Sequence, residues 1–490
     1  MELPDKEACY RALQSRDTRF DGLIFVGVKS TGIYCRPICP ARTAKFENCT
    51  FYASAAAAQD AGYRPCLRCR PETAPDVASW RGTSNTVSRA LALIGEGALD
   101  GDGASVEKLA DKLGVGERQL RRLFLQHLGA SPISVAQTRR VLFAKQLIHD
   151  TRLPMTEVAL AAGFSSVRRF NETFQTLFHR PPSALRRKTS ANVEEGIILR
   201  LRYRPPYDWE SILSFLQTRA IPEAEVVENG KYFRTIAMDG SSGTIEVSHL
   251  PEKLSICVKI RFPNVKSLPA IVARVRRVFD IGADIETIDA HLSNDPLLAP
   301  LVAQRPGLRA PGGWDGFELA VRAVLGQQIT VTAARRLAGQ LVALHGKPVS
   351  TAHPGLSRAF PTAKVLSKLN SIGLGMPAAR LATLKAVAQA AVADPNLFRA
   401  MGNIEGTIQR LKSIRGVGEW TAQYIALRAV REMDAFPATD IGLLRAMAAI
   451  DQSPASLLDH AKVWRPWRAY AAQHLWAADS THIQEKRQAL

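Results

Sequence analysis

The chain of 490 residues contains no run of eighteen or more apolar residues, the length that a membrane-spanning helix requires. Its first ten residues carry charged side chains and lack the apolar core of a secretory signal. It has few cysteines: seven, an odd number, which favours a reducing compartment over a disulfide framework. We therefore expect no membrane partner and a cytoplasmic location.

Acidic residues are also scarce, with 45 Asp and Glu against 64 Lys and Arg and a formal net charge of +19. The excess is not confined to one tail, because residues 1–190 carry a net charge of +10 and the remainder +9. Several basic domains in one chain predict a polyanionic partner. A solvated basic surface without a ligand is the alternative. The length corresponds to about three domains.

Four of the cysteines form two close pairs near the start of the chain. Three residues separate Cys35 from Cys39, two separate Cys66 from Cys69, and twenty-six lie between the pairs. Two short clusters at this spacing predict a tetrahedral zinc site with four thiolates. Most such sites are purely structural, which is the alternative here. Arginines are frequent in this segment, and we expect two of them to contact DNA phosphate, Arg36 and Arg42.

Residues 31–42, 51–52 and 62–69 closely resemble the N-terminal domain of the bacterial Ada family, and the resemblance covers most of residues 5–75. It implies one Zn²⁺ ion held by the four cysteines. It further implies that Cys35 is both a ligand and the irreversible acceptor of a methyl group from a methylated DNA phosphate. The chemistry is consistent, since a zinc-bound thiolate is a nucleophile at neutral pH. A structural zinc finger predicts instead that Cys35 never gains a methyl group.

A helical hydrophobic period begins at Ser105, and its pattern occurs twice. Leu109 to Val115 and Val158 to Phe164 share the same arrangement of small, apolar and glycine residues about fifty positions apart. This predicts two helix-turn-helix units joined by a long helix over 135–148. Residues 84–188 resemble an AraC-type DNA-binding domain, which implies that helices near 117–126 and 166–177 enter major grooves. The expected contacts are Arg118, Arg122, Arg168 and Arg169. Two ordinary helical hairpins are the alternative.

The second half of the chain changes from mixed α/β character near 198–290 to an almost entirely helical pattern after Gly316. Residues 411–418 have the spacing of a helix-hairpin-helix, in which Gly416 and Gly418 expose backbone N–H groups to a DNA phosphate. Asp440 follows Gly416 by twenty-four residues. This combination is the signature of helix-hairpin-helix DNA glycosylases, and a simple helix N-cap is the alternative for Asp440.

Residues 198–479 resemble the AlkA-type 3-methyladenine glycosylases. The resemblance implies that Asp440 is the catalytic carboxylate and that aromatic residues line a pocket for a flipped base, against the alternative of core packing. These residues are Trp420, Tyr424, Trp476 and Phe215. An electron-rich aromatic cage suits cationic alkylated purines. The loop residues Gln327 and Gln328 are expected to contact DNA.

The chain departs from the AlkA pattern at three positions. Gln328 stands where the family has a leucine wedge, and Ile441 and Gly442 replace an aromatic residue and a leucine, which predicts an opened pocket wall. Trp420 stands where bifunctional relatives have the Schiff-base lysine, so no strand-cleaving lyase activity is expected. Cys257 is the only cysteine after Cys69, which excludes a four-cysteine iron–sulfur cluster.

These patterns together predict a multidomain, mostly α protein. The expected parts are a small α/β zinc domain (1–78), an all-α tandem helix-turn-helix domain (84–188), an α+β subdomain (197–308) and an all-α helix-hairpin-helix domain (309–490). The resemblances imply an alkylation-damage response that combines methyl transfer to Cys35, transcriptional regulation and monofunctional base excision. Its partners would be damaged and promoter double-stranded DNA in the nucleoid, together with RNA polymerase. A transcription factor whose C-terminal half only binds DNA is the alternative.

Overall fold

The computed structural model describes residues 3–75, 85–101, 103–186, 196–369, 373–399, 403–450 and 457–488. Helices predominate among them and the sheets are small, as the sequence predicts. No helix in these ranges is long and apolar enough to cross a membrane. The predicted domain boundaries at 78–84 and 188–195 lie outside the described residues, so the division into four domains remains a prediction.

The chain forms two compact units. The first unit comprises Met1–Arg204, Leu250–Arg276 and Ile281–Ala283. The second unit comprises Pro205–His249, Arg277–Asp280 and Asp284–Leu490.

The cysteine-rich segment folds around a four-stranded sheet in the order β3-β1-β2-β4. Its elements are α1 (Lys6–Ser15), β1 (Phe25–Val28), β2 (Ile33–Cys35), β3 (Cys49–Tyr52), α2 (Ala55–Asp60) and β4 (Arg64–Pro65). Strand β1 is antiparallel to β2 and β3, whereas β2 and β4 run parallel. Because parallel strands end at the same edge of a sheet, the loops after β2 and β4 are neighbours.

The tandem helix-turn-helix segment is entirely helical. Its elements are α3 (Asn85–Gly95), α4 (Val106–Leu113), α5 (Glu117–Leu128), α6 (Pro132–Asp150), α7 (Met155–Ala161) and α8 (Val167–Phe178). Ser105 caps α4 and Ser166 caps α8 through their hydroxyls, and Gly114 ends α4 at a φ of +68°, which a residue with a side chain rarely adopts. The two second helices bury equivalent positions, namely Leu120, Phe124 and Leu128 in α5 and Phe170, Phe174 and Phe178 in α8. The predicted duplication is thus present in the fold.

The next segment mixes strands and helices. Its elements are β5 (Ile197–Arg202), α9 (Trp209–Arg219), β6 (Glu225–Glu228), β7 (Lys231–Met238), β8 (Ser241–Leu250), β9 (Ser255–Arg261) and α10 (Leu268–Val278). In the first unit, β5 pairs antiparallel with β9. In the second unit, β7 lies between β6 and β8 and is antiparallel to both.

The remainder of the second unit is a helical assembly around α13. Its elements are α11 (Ile285–Leu292), α12 (Ala299–Gln304), α13 (Gly316–Leu325), α14 (Val331–His345), the short strands β10 (Lys347–Pro348) and β11 (Arg358–Ala359), α15 (Ala363–Ser367), α16 (Ala378–Ala393), α17 (Ile404–Lys412), α18 (Glu419–Ile425), α19 (Ile441–Ile450), α20 (Leu457–His460) and α21 (Arg468–Gln488). Helix α13 is apolar on nearly every face and packs against α14, α16 and α18, as expected for a central helix. Helix α19 packs against α21.

Candidate functional site

Strand pairing brings the two cysteine pairs together at one edge of the small sheet. Cys35 ends β2, and Cys66 directly follows the parallel strand β4. The sulfur atoms of Cys35, Cys39, Cys66 and Cys69 all lie within 4.8 Å of one another. Thiolates bound at about 2.3 Å around a tetrahedral zinc ion stand about 3.8 Å apart. The cluster therefore fits one Zn²⁺ ion held by four sulfurs.

Cys35 is the most accessible of the four ligands. It is half-buried, whereas Cys39, Cys66 and Cys69 are only 5–7% exposed. Hydrogen bonding with the other three thiols raises the pKa of Cys35 above its usual value. A Zn²⁺ ion would displace the shared protons and keep the sulfurs as thiolates. The partly accessible position of Cys35 suits a nucleophile, and the three buried sulfurs suit ligands alone.

The structure corrects the expectation that Arg36 contacts DNA. Its side chain is 1% exposed and forms a buried ion pair with Asp21. The guanidinium also donates to the carbonyl oxygen of Cys69 at 3.0 Å and to Thr73 Oγ1 at 2.8 Å. A buried guanidinium needs these partners because burying an unpaired charge is costly. Arg36 therefore braces the metal loop, whereas Arg42 is exposed and remains a predicted DNA contact.

A buried lysine connects the metal loop to helix α6. Lys145 is fully buried, and its Nζ donates to the carbonyl oxygen of Cys66 at 2.8 Å and to Glu72 Oε2 at 2.7 Å. Arg70 joins the same network through Glu72 at 3.0 Å and through Asp150, at the end of α6, at 2.9 Å. Because α6 joins the two helix-turn-helix units, the network links the cysteine cluster to the helix that connects them. Sequence analysis missed Lys145, whose only signal was its place within the mainly apolar segment 141–148.

The predicted DNA-contacting arginines of α5 and α8 are available at the surface. Arg118, Arg122, Arg168 and Arg169 are all exposed. Arg168 pairs with Glu172 one turn away at 2.7 Å, and such a solvent-exposed pair contributes little. A phosphate can replace that carboxylate as the partner of Arg168.

Asp440 caps helix α19 and accepts four N–H groups. Its Oδ1 accepts from the backbone N–H of Gly442 at 2.9 Å and of Leu443 at 3.2 Å, and from the indole of Trp476 at 2.8 Å. Its Oδ2 accepts from the indole of Trp420 at 2.8 Å. Asp440 is therefore an N-cap as well as the meeting point of two aromatic residues. An oriented carboxylate in this setting can stabilise positive charge that develops on a ligand.

Three of the predicted pocket residues form one cluster beside Asp440. Trp420 and Tyr424, one turn apart on α18, stack with ring centroids 5.4 Å apart and planes at 14°. Trp476 on α21 meets Tyr424 edge-on at 6.3 Å and 71°. Phe215 on α9 joins through Arg428, whose guanidinium lies 4.6 Å from the Phe215 centroid and 5.1 Å from that of Trp476. All four rings are only partly buried, so they retain surface for a ligand.

The hairpin between α17 and α18 presents both glycines at the surface. Gly416 has a φ of +82°, and a Cβ there would lie 1.8 Å from Thr383 Oγ1, so only glycine fits. Gln327 is half-buried, and its side-chain nitrogen donates to the carbonyl oxygen of Gly416 at 3.1 Å and to Thr421 Oγ1 at 3.0 Å. Gln327 therefore braces the hairpin, and its contact with DNA stays a prediction.

The three positions that depart from the AlkA pattern occupy different settings. Gln328 is exposed at a φ of +57° in the loop before α14, where it remains a predicted DNA contact. Ile441 is 70% exposed beside Asp440. A Cβ at Gly442 would meet Asp440 Oδ1 at 3.1 Å and Trp476 at 3.2 Å. The side chains of Asp440 and Trp476 therefore lie against Gly442, and the open pocket wall stays a prediction.

Comparison with known proteins accounts for most of the chain. Residues 8–72 match the metal binding domain of Ada, residues 109–188 match a helix-turn-helix domain, and residues 198–315 match the AlkA N-terminal domain. A 3-methyladenine DNA-glycosylase structure from Archaeoglobus fulgidus has a TM-score of 0.51 at 23% identity, covering 57% of this chain and 98% of that one. At this identity the likeness shows the fold of the second half alone.

Two curated relatives extend the match. DNA-3-methyladenine glycosylase 2 of Escherichia coli is 30% identical over 56% of this chain and 95% of its own length. A protein of Mycobacterium tuberculosis named "Probable bifunctional transcriptional activator/DNA repair enzyme AlkA" is 40% identical over 481 residues, which is 96% of both chains. The chain therefore belongs to the family of bifunctional transcriptional activator/DNA repair enzymes AlkA.

Proposed function

We propose that the second half of the chain excises alkylated bases of the 3-methyladenine type from duplex DNA as a monofunctional glycosylase. One observation carries this proposal: the indole N–H groups of Trp420 and Trp476 converge on the two oxygens of Asp440. This arrangement places an oriented carboxylate at the side of an aromatic cluster that can stack against a flipped base.

The chemistry follows from these groups. The glycosidic bond breaks with its electron pair moving to the base, and Asp440 stabilises the positive charge left on the sugar until water adds to it. No amine is available at Trp420, so no Schiff base forms and the DNA strand stays intact. Gly416 and Gly418 would hold a backbone phosphate, and Gln328 would fill the gap that the flipped nucleotide leaves.

The test is release of free bases from methylated duplex DNA by the purified chain. We expect release of 3-methyladenine by the wild type and by Asp459→Asn, which changes a carboxylate that is 65% exposed. We expect none from Asp440→Asn. Equal release by Asp440→Asn would remove Asp440 from the reaction. No release from any of them would favour a C-terminal half that only binds DNA.

We further propose that Cys35 accepts the methyl group of a DNA methylphosphotriester. The Cys35 sulfur forms a bond to the methyl carbon as the carbon–oxygen bond breaks, and the phosphate leaves as an ordinary phosphodiester anion. Zinc bound by the four cysteines would keep the sulfur deprotonated. Arg42 would contact the neighbouring phosphates. Mass spectrometry after incubation with methylated DNA should place one methyl group on the Cys35 peptide and none on that of Cys9 or Cys49.

We also propose that this methylation turns the chain into a transcriptional activator in the nucleoid, where it recruits RNA polymerase to alkylation-repair promoters. Methylation removes one negative charge next to DNA, so repulsion falls and affinity rises. The arginines of α5 and α8 would contact the promoter, and the Lys145 network would transmit the change along α6. Affinity for the chain's own promoter is the measurement. An unchanged affinity after Cys35 methylation would refute the switch.

A further inference from the structure

A buried guanidinium lies among the aromatic side chains of the proposed base pocket. Arg428 is 2% exposed and lies in the π-helical turn Ala426–Val430 that follows α18. Its guanidinium carbon is 4.6 Å from the ring centroid of Phe215, 5.1 Å from Trp476 and 5.8 Å from Tyr424. Local π-helical turns often mark functional positions. Sequence analysis missed Arg428, although an arginine inside the apolar stretch 425–430 was a signal.

No carboxylate compensates this charge within the described residues. Arg428 donates to the carbonyl oxygen of Pro311 and to Gln473 Oε1, each at 2.8 Å, and its Nε has no partner there. By contrast, the buried guanidinium of Arg234 pairs with Glu318 at 2.8 Å. Burial lowers the pKa of Arg428 to about 10, so the group is still charged at neutral pH. A net positive charge therefore lies against the rings of the aromatic cluster.

A cation on aromatic faces changes what those rings can bind. An aromatic ring attracts cations through its negatively polarised face. In three of the four rings, the Arg428 guanidinium already makes this cation–π interaction. A base stacked on the far side of such a ring would lie about 8–9 Å from the guanidinium. At an effective dielectric constant of about 20, a unit charge at that distance alters an equilibrium or a rate by roughly 20- to 30-fold.

We propose that Arg428 is a specificity-determining residue that shifts base excision from cationic towards neutral damaged bases. The inference rests on the proposed glycosylase function. A cationic base is repelled while bound and becomes neutral as it leaves. A neutral base gains electron density as the glycosidic bond breaks, and the guanidinium stabilises that density. Arg428 therefore weakens the binding of cationic bases and accelerates the departure of neutral ones.

Single-turnover excision of two bases in the same duplex separates these effects. Hypoxanthine serves as the neutral probe and 7-methylguanine as the cationic probe. In Arg428→Met, the maximal rate for hypoxanthine should fall by up to roughly 20- to 30-fold at an unchanged half-saturation concentration. The half-saturation concentration for 7-methylguanine should fall by a similar factor. A merely structural role predicts no tighter binding of either base.

Two further variants keep the test decisive if Arg428→Met does not fold. Gln473→Glu places a carboxylate on the guanidinium without removing it, and it should reproduce both changes. Arg428→Lys retains the charge and should retain the wild-type preference between the two bases. Arg219→Met is the matched control. Arg219 also lies over the Phe215 ring, at 4.1 Å, but it is only partly buried. Solvent therefore screens the Arg219 charge, and its removal should have little effect.

The outcomes distinguish this inference from the proposed function. If the wild type releases both bases and neither Arg428→Met nor Gln473→Glu tightens binding of 7-methylguanine, Arg428 has no role in selecting the base. If Arg219→Met matches Arg428→Met, the burial argument is wrong. If the wild type releases 3-methyladenine but neither of these two bases, this inference fails while the glycosylase proposal stands. If the wild type releases no 3-methyladenine either, both fail.

Discussion

Replacing Gly416 by alanine should destabilise the second unit by about 2–5 kcal/mol. The residue has a φ of +82°, which costs an L-residue with a side chain about 1–2 kcal/mol. The added Cβ would lie 1.8 Å from Thr383 Oγ1 and 2.8 Å from Thr383 Cβ. Thr383 is 5% exposed, and its hydroxyl donates to the carbonyl oxygen of Ala379 at 3.0 Å. Displacing such a packed residue costs about 1–3 kcal/mol.

Gly418→Ala is the matched control in the same hairpin. Gly418 has a φ of −86°, and a Cβ there meets nothing within 4 Å, so the free energy of unfolding should change by no more than about 0.5 kcal/mol. Urea denaturation of the second unit gives the stability change, and affinity for duplex DNA with an abasic site gives the functional change. We expect Gly416→Ala to weaken that affinity, because the displaced hairpin no longer aligns its N–H groups with a phosphate.

A double variant tests the origin of the cost. Thr383→Ala removes the hydroxyl and the methyl group that the new Cβ would meet, so it should recover about 1 kcal/mol relative to additivity with Gly416→Ala. Strict additivity would assign the whole cost to the backbone conformation. If Gly416→Ala and Gly418→Ala have the same stability, the steric argument is refuted.

Three further predictions concern the buried charges and the metal cluster. Lys145→Met leaves the buried Glu72 carboxylate with Arg70 as its remaining ion-pair partner and should cost about 1–3 kcal/mol. Lys462→Met at an exposed pair should change stability by under about 1 kcal/mol, and denaturation of both variants measures the difference. Burial lowers the pKa of His474 to about 4, so the unfolded chain binds this proton first. The contribution of the neutral His474 to the free energy of unfolding is full above about pH 6.5 and falls by about 3 kcal/mol as the pH drops to 4. His474→Leu should abolish this loss, as denaturation at both pH values would show. Cys66→Ser, or zinc removal by a chelator, should reduce bound zinc from one ion per chain to none and expose residues 3–75 to protease, as metal analysis and limited proteolysis would show.

Local patterns carried most of the correct predictions about the fold. The spacing of Cys35, Cys39, Cys66 and Cys69 identified the cluster, because the residues of a zinc site occur as short-spaced pairs that can be recognised directly in the sequence. The second helices of the tandem repeat were predicted as 117–126 and 166–177 and are Glu117–Leu128 and Val167–Phe178. Such elements follow from a hydrophobic period and from caps within a few residues.

The errors and omissions concern side chains whose partners are distant in the chain. Arg36 has the residue type of a phosphate contact, yet Asp21 and the loop after Cys66 enclose it. Lys145 was not singled out, yet it is fully buried and its partners are the Cys66 carbonyl oxygen and Glu72. Local sequence contains no information on which surface such a residue meets.

The sequence by itself determined the kinds of elements, the four metal ligands, the duplicated helix-turn-helix and the position of Asp440 as both cap and carboxylate. These features depend on spacing within one segment, where backbone geometry converts sequence separation into distance. Only the tertiary structure decided that Trp420 and Trp476 share the Asp440 oxygens, that Lys145 connects the cysteine cluster to α6, and that the Arg428 charge lies among the pocket rings. Those contacts join segments far apart in the chain, and burial determines their strength because it removes the water that would otherwise screen them.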